Sequence, residues 1–196
     1  MEKIMLITFC LALLTAKFFH YRVGVLFRSW TVYPLFAAEA VHIFFQIHTY
    51  FGDYQFIPFA SALKTTYMLL FLIPMFVYRL YWPGIAGSAL VLAGTGLNRF
   101  AIWQNGGKMP VFPSLSYWTG YVRPEGFQGI SPLHVLGDGT TKFWFLTDFI
   151  DVGYSILSVG DILIRGYAFL IFFFTIRELN RRMATAPQTP MPVESK

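Results

Sequence analysis

The chain has 196 residues, 56% hydrophobic and 19% aromatic but only 13% charged, with a mean hydropathy of +0.53 and a formal net charge of +5. A soluble domain carries about a quarter charged residues, which excludes an ordinary water-soluble globule, and disorder needs low hydrophobicity and high charge density, found only in the last stretch. What remains is an all-α integral membrane protein. The basic residues are scattered rather than gathered on one face, so no nucleic-acid partner is expected, and the single Cys10 excludes an intrachain disulfide framework or a cysteine metal cage.

A helix crossing the hydrocarbon core needs about 20 mostly apolar residues. Five stretches meet or approach this, at about 4–19, 31–51, 63–80, 84–103 and 160–176. Helices are expected throughout, because lipid offers no partner to an open backbone amide. The first stretch has neither a long basic leader nor an Ala-x-Ala site after it and reads as a span rather than a signal peptide; its Lys17 lies near one end, where it can snorkel to headgroups.

In the second span Glu39 and His42 stand three residues apart, on one helical face. Ionisable groups inside a span are functional candidates by default. This pair reads either as a buried couple bonded to itself or to Asn98, Arg99 or Thr66, or as half of a carboxylate di-metal site, whose second Glu-x-x-His the chain lacks. Neither a metal nor another cofactor is therefore expected. The fourth span carries Gly84, Gly87, Gly94 and Gly96 among Ala86, Ser88, Ala89 and Ala93, the composition of a helix that packs closely in lipid.

From about 104 to 157 runs the one long non-spanning segment, with Trp103 at its entrance and Tyr117, Trp118, Tyr121, Trp144 and Tyr154 within it, residue types that settle at headgroup level. Asn105-Gly106-Gly107-Lys108 is either a plain turn or a set of backbone amides holding an anion beside a lysine. His134 and Asp138 fit a metal or acid–base group with Asp148 and Asp161, or, for Asp138-Gly139, a turn. Asp161 begins the fifth span and reads as a helix cap or as one of two carboxylates that share a proton with Asp148 and activate water. Ser158 stands three residues before it, and Arg165 one turn further in, where it can pair with either aspartate. Beyond 183 the proline-rich tail, 184–196, is expected to be flexible.

Lysine and arginine give the orientation. With the N-terminus outside, Arg22, Arg28, Arg79, Arg177, Arg181, Arg182 and Lys196 fall on the inner face, against Lys3, Lys64, Lys108, Arg123 and Lys142 diluted along the outer one.

Asn105-Gly106-Gly107-Lys108-Met109-Pro110-Val111, His134, Leu146-Thr147-Asp148 and Leu157-Ser158-Val159-Gly160-Asp161 together resemble the domain of unknown function 5317 family of bacterial multi-pass membrane proteins. The resemblance covers the C-terminal half and implies placement in the inner membrane rather than an activity. A shorter likeness, Asp148-Phe149-Ile150-Asp151 with Ser158-Val159-Gly160-Asp161, is similar to the C-terminal part of lipoprotein signal peptidase and implies Asp148 and Asp161 as a catalytic pair. It departs from that family at Ser158, where asparagine stands, and at Gly160, where alanine stands. Three function classes follow: a protein binding a lipid, a peptide, or a lipid-anchored or membrane-protein partner at its extracytoplasmic face; an intramembrane aspartyl hydrolase; and a transporter subunit, which the absence of internal repeats disfavours.

Overall fold

A computed structural model describes residues 5–50, 55–122 and 133–185; Lys3, Arg123, Lys196 and the tail from 186 onward lie outside the described residues. The protein is mostly helical. Its chain runs through α1 (Leu6–Phe18), two short 3-10 turns, α2 (Tyr33–Tyr50), α3 (Ile57–Leu70), α4 (Leu72–Val77) and α5 (Tyr81–Gln104). A folded cap follows, built from β1 (Met109–Val111), α6 (Leu115–Trp118), β2 (His134–Leu136), β3 (Ile150–Asp151) and β4 (Ile156–Leu157), before α7 (Val159–Thr185).

Two helices, α5 with 24 residues and α7 with 27, are long and apolar enough to cross a membrane. At about 1.5 Å per residue both exceed a hydrocarbon core of about 30 Å. The other three expected spans differ from that picture. The first is a 13-residue helix and the second an 18-residue one. The third is broken into α3 and α4 at Phe71. Pro74 explains the break: it has no amide to offer the Leu70 carbonyl, and its ring crowds that carbonyl, so α3 ends at Leu70.

The all-α expectation is also corrected, because the long segment contains two small sheets. In one, β1 pairs in parallel with β2, Met109 opposite His134 and Val111 opposite Leu136, and on its other side bridges to Asp148. In the other, β3 and β4 form an antiparallel hairpin. Strands of two or three residues leave no alternation to read in a sequence.

α7 is the centre of the molecule. Its Tyr167, Ala168, Ile171, Phe172 and Ile176 are buried against Ala12 and Ala16 of α1, Leu26, Leu35 of α2 and Phe71. Phe172 meets Phe9 and Phe71 edge-on at ring separations of 5.1 and 5.2 Å, the arrangement that aromatic quadrupoles favour. Against α5, α7 packs backbone to backbone: Gly94 lies against Gly160, and Gly87 against Tyr167. The exterior is apolar, with Leu14, Phe18, Trp82, Ile85, Leu92 and Trp103 all more than 60% exposed. Soluble surfaces rarely expose so many large apolar side chains to this degree.

Three helices end in the same way. After α1, α4 and α5 the chain closes with a 6→1 bond, Tyr21 N–H to Ala16 O, Leu80 N–H to Met75 O and Gly107 N–H to Ile102 O, around a residue of positive φ: His20, Arg79 and Gly106. The α4 end places Arg79 beside Arg177, Arg181 and Arg182 at the end of α7. Arg22 is tied there too, through two hydrogen bonds between its backbone and the Asn180 side chain. The cap lies at the opposite end of the α5–α7 pair, joining the last residue of α5 to the first of α7.

Candidate functional site

The cap holds most of the residues singled out in the sequence, and its frame is set by backbone pairing. The Asp148 N–H donates to Pro110 O (3.1 Å) and the Phe112 N–H to Asp148 O (2.8 Å), which fixes Asp148 against β1 from the side opposite β2. His134, at the start of β2, is thereby brought to Asp148, with Nε2 3.8 Å from Oδ2. That is an ion-pair distance rather than a hydrogen bond. Asp148 is only 5% exposed and His134 half-buried, so the couple has the composition of an acid–base dyad in a partly dry setting.

Asp161 is held differently. Its Oδ2 accepts from the Ser158 N–H (3.1 Å) while its own N–H donates to Ser158 Oγ (3.0 Å), a reciprocal capping box at the start of α7. Asn98 of α5 closes the group: Nδ2 donates to Asp161 Oδ1 (3.2 Å), and Oδ1 accepts from the Ser158 hydroxyl (2.8 Å). Both carboxylate oxygens of Asp161 are thus engaged in joining α5 to the beginning of α7. Asn98, one of three partners expected for Glu39 and His42, belongs here instead. Arg165 is half-buried one turn beyond Asp161, and Arg99 is exposed on α5.

The Asn105-Gly106-Gly107-Lys108 turn is the end of α5. Gly106 and Gly107 have φ of 67° and 81°, which only glycine adopts without strain. The Gly107 and Lys108 amides bond to Ile102 and Asn105 carbonyls within the turn, and the Lys108 side chain is exposed. The Asn105 side chain works across the cap, its Nδ2 donating to Lys142 O and its Oδ1 accepting from Lys142 N–H, each at 2.9 Å. Asp138 closes a local turn, accepting from the Thr140 N–H and hydroxyl; the bonds from Thr140, with a smaller opposing effect of burial, lower its pKa.

A residue that holds the cap together at one point, Asp151, is one that sequence reading did not place in the site. Asp151 accepts four hydrogen bonds: from the amides of Ser114 (2.7 Å), Ser116 (2.8 Å) and Gly153 (2.8 Å) and from the Ser116 hydroxyl (2.6 Å). Burial pushes its carboxyl up, but the bonds from Ser116, Ser114 and Gly153 outweigh it and the net shift is downward. Burial, then the Asp151 charge, push the neighbouring Tyr121 hydroxyl up to about 12. The signal that would have found it is Asp151-Val152-Gly153, an aspartate two residues before a glycine, the composition of an Asx turn.

On α2, His42 Nδ1 lies 3.8 Å from Glu39 Oε2, and the pair meets Tyr67 of α3 rather than Asn98, Arg99 or Thr66. Among the described residues no three His, Cys, Asp or Glu side chains gather as a metal site. Cys10 is a free, exposed thiol.

The model of a family of unknown function, DUF5317, matches residues 24–175, well over half of the chain. The chain belongs to that family. The match reaches further toward the N-terminus than the C-terminal motifs implied, taking in α2 to α5 as well as the cap and most of α7, so the DUF5317 unit contains both the helical core and the cap. No curated protein and no solved structure matches the chain, and the likeness to lipoprotein signal peptidase finds no support.

Proposed function

We propose that this DUF5317 protein is a non-catalytic, multi-pass inner-membrane protein, N-terminus outside and C-terminus inside, whose cap is an extracytoplasmic docking platform for another membrane component. The observation that carries this is the pairing of a tightly bonded frame with large exposed aromatic side chains. Asp151, Asp161 and Asn105 are engaged in holding backbone and Asn98 in holding the Asp161 and Ser158 side chains, while Trp118 is 87% exposed, with Trp144, Phe145 and Leu115 about half exposed on the same cap. Large rigid aromatics on an ordered frame are the usual anchors of a protein contact. The arginines at the far end of α7 support the orientation through the inner-face bias of basic residues, and the apolar exteriors of α1, α2 and α3 support three further crossings beside α5 and α7.

The partner class favoured is a membrane-embedded or lipid-anchored protein. A photoreactive amino acid replacing Trp118 in intact cells is expected to give a covalent adduct of one discrete larger size, lost when Trp144 and Phe145 are changed to alanine. Adducts to lipid alone would overturn the docking reading. The aspartyl hydrolase alternative has one observation on its side, the buried Asp148 next to His134; it requires Asp161 to leave its capping bonds.

A further inference from the structure

At the opposite end of the molecule from the cap, the end of α4, the start of α5 and the last turns of α7 enclose an open cavity of about 610 Å³. That lies within the range of about 300–1,000 Å³ usual for sites that bind small molecules or headgroups. Four guanidinium groups line it, Arg79, Arg177, Arg181 and Arg182, against a single carboxylate, Glu178. Glu178 holds Arg181 through two parallel bonds of 2.7 and 2.8 Å and Arg182 through one of 2.9 Å. The arrangement orients those two side chains without neutralising the cavity. Arg182 stacks 4.9 Å over the Tyr78 ring, and among the described residues neither Arg79 nor Arg177 has a carboxylate partner.

The backbone gives an independent observation. Arg79 occupies the left-handed position of the α4 end at φ 54°, where glycine serves best and a side chain is strained. At the equivalent point after α5 the chain uses Gly106. A side chain stands at this position after α1 as well, in His20, and that of Arg79 belongs to a residue lining the cavity.

We infer that this cavity binds the phosphate of an anionic phospholipid headgroup. Planar guanidinium forks match phosphate oxygens, and basic pockets between helices at the inner membrane face suit such headgroups. A lipid is favoured over free phosphate because Val77, Trp82, Pro83 and Phe174 line the same cavity, and Trp82 is 74% exposed, giving apolar contact to the glycerol and upper acyl chain. The inference rests on the membrane reading above.

The test uses the full chain. Alkaline carbonate washing of membranes is the first arm: release of the protein overturns the membrane reading itself. Detergent-purified protein is then titrated with phosphatidylglycerol, phosphatidylcholine or inorganic phosphate and followed by native mass spectrometry. The wild type is expected to prefer phosphatidylglycerol over phosphatidylcholine by about tenfold or more, with millimolar phosphate competing. Arg79→Gly, which relieves the backbone while removing the charge, is expected to abolish that preference with an unfolding temperature equal to or above that of wild type, and Arg177→Gln to weaken it. Equal binding by wild type and both variants, or phosphate binding without any preference for phosphatidylglycerol, overturns the inference while leaving the membrane reading standing.

Discussion

Asp151 shows how much of the cap depends on one carboxylate. Four donors from two chain segments more than thirty residues apart converge on it, so Ser114, Ser116 and the β3–β4 hairpin are joined at a single point. A carboxylate held below its ordinary value contributes stability above the unfolded-state pKa, about 3.9, and that contribution is lost as pH falls through the lowered folded value. Acidification below about pH 4 is therefore expected to open the cap before the helical core. Asp151→Asn, which leaves one good acceptor in place of two, is expected to cost about 2–3 kcal/mol and to expose the amides of Ser116 and Gly153 to hydrogen exchange at neutral pH. Unchanged protection of those amides would remove Asp151 from this role.

Helices α5 and α7 meet through glycine, and the approach is tight because small residues let two apolar helices pack backbone to backbone and gain dispersion contacts. A methyl group on Gly94 would fall on the Gly160 carbonyl oxygen and within 3.1 Å of the Leu163 and Ile164 side chains. Gly94→Ala is thus expected to lower stability by about 1–3 kcal/mol, read as a fall in unfolding temperature in detergent. Gly96 is the control on the same helix, with nothing within 4 Å of an added Cβ; Gly96→Ala is expected to be neutral or to stabilise by up to about 1 kcal/mol through helix propensity. Equal losses at both positions would mean that the glycines matter for something other than this contact. The same contact carries the polar group of Asn98, Ser158 and Asp161 at its cap end, so packing and capping set the register of the two helices together.

Over the whole molecule, the polarity is distributed from end to end: hydrogen-bonded cap, apolar middle, arginine-lined far end. With Cys10 changed to serine the chain has no cysteine, and single cysteines report sidedness. A cysteine at Gly139, where an added Cβ meets nothing, is expected to react with a membrane-impermeant maleimide in intact cells. One at Thr185, the last residue of α7, is expected to react only after permeabilisation. The reverse pattern would invert the orientation, and labelling of both in intact cells would leave α7 without a crossing.

Composition and apolar run lengths by themselves determined the apolar, mostly helical character, the existence of α5 and α7, and the close packing at Gly87 and Gly94, because these depend on local hydrophobicity and on backbone satisfaction within one segment. The turn at Asn105-Gly106-Gly107 and the cap at Asp161 were each legible as one of two readings, since helix ends are written in neighbouring residues. Only the tertiary structure decided that Asp148 faces His134, that Asn98 serves Asp161 rather than Glu39, that Asp151 ties the cap, and that Arg79 joins three arginines a hundred residues away. Each of those is a contact between distant segments, and the register that brings them together is fixed by packing, which no single stretch of sequence contains.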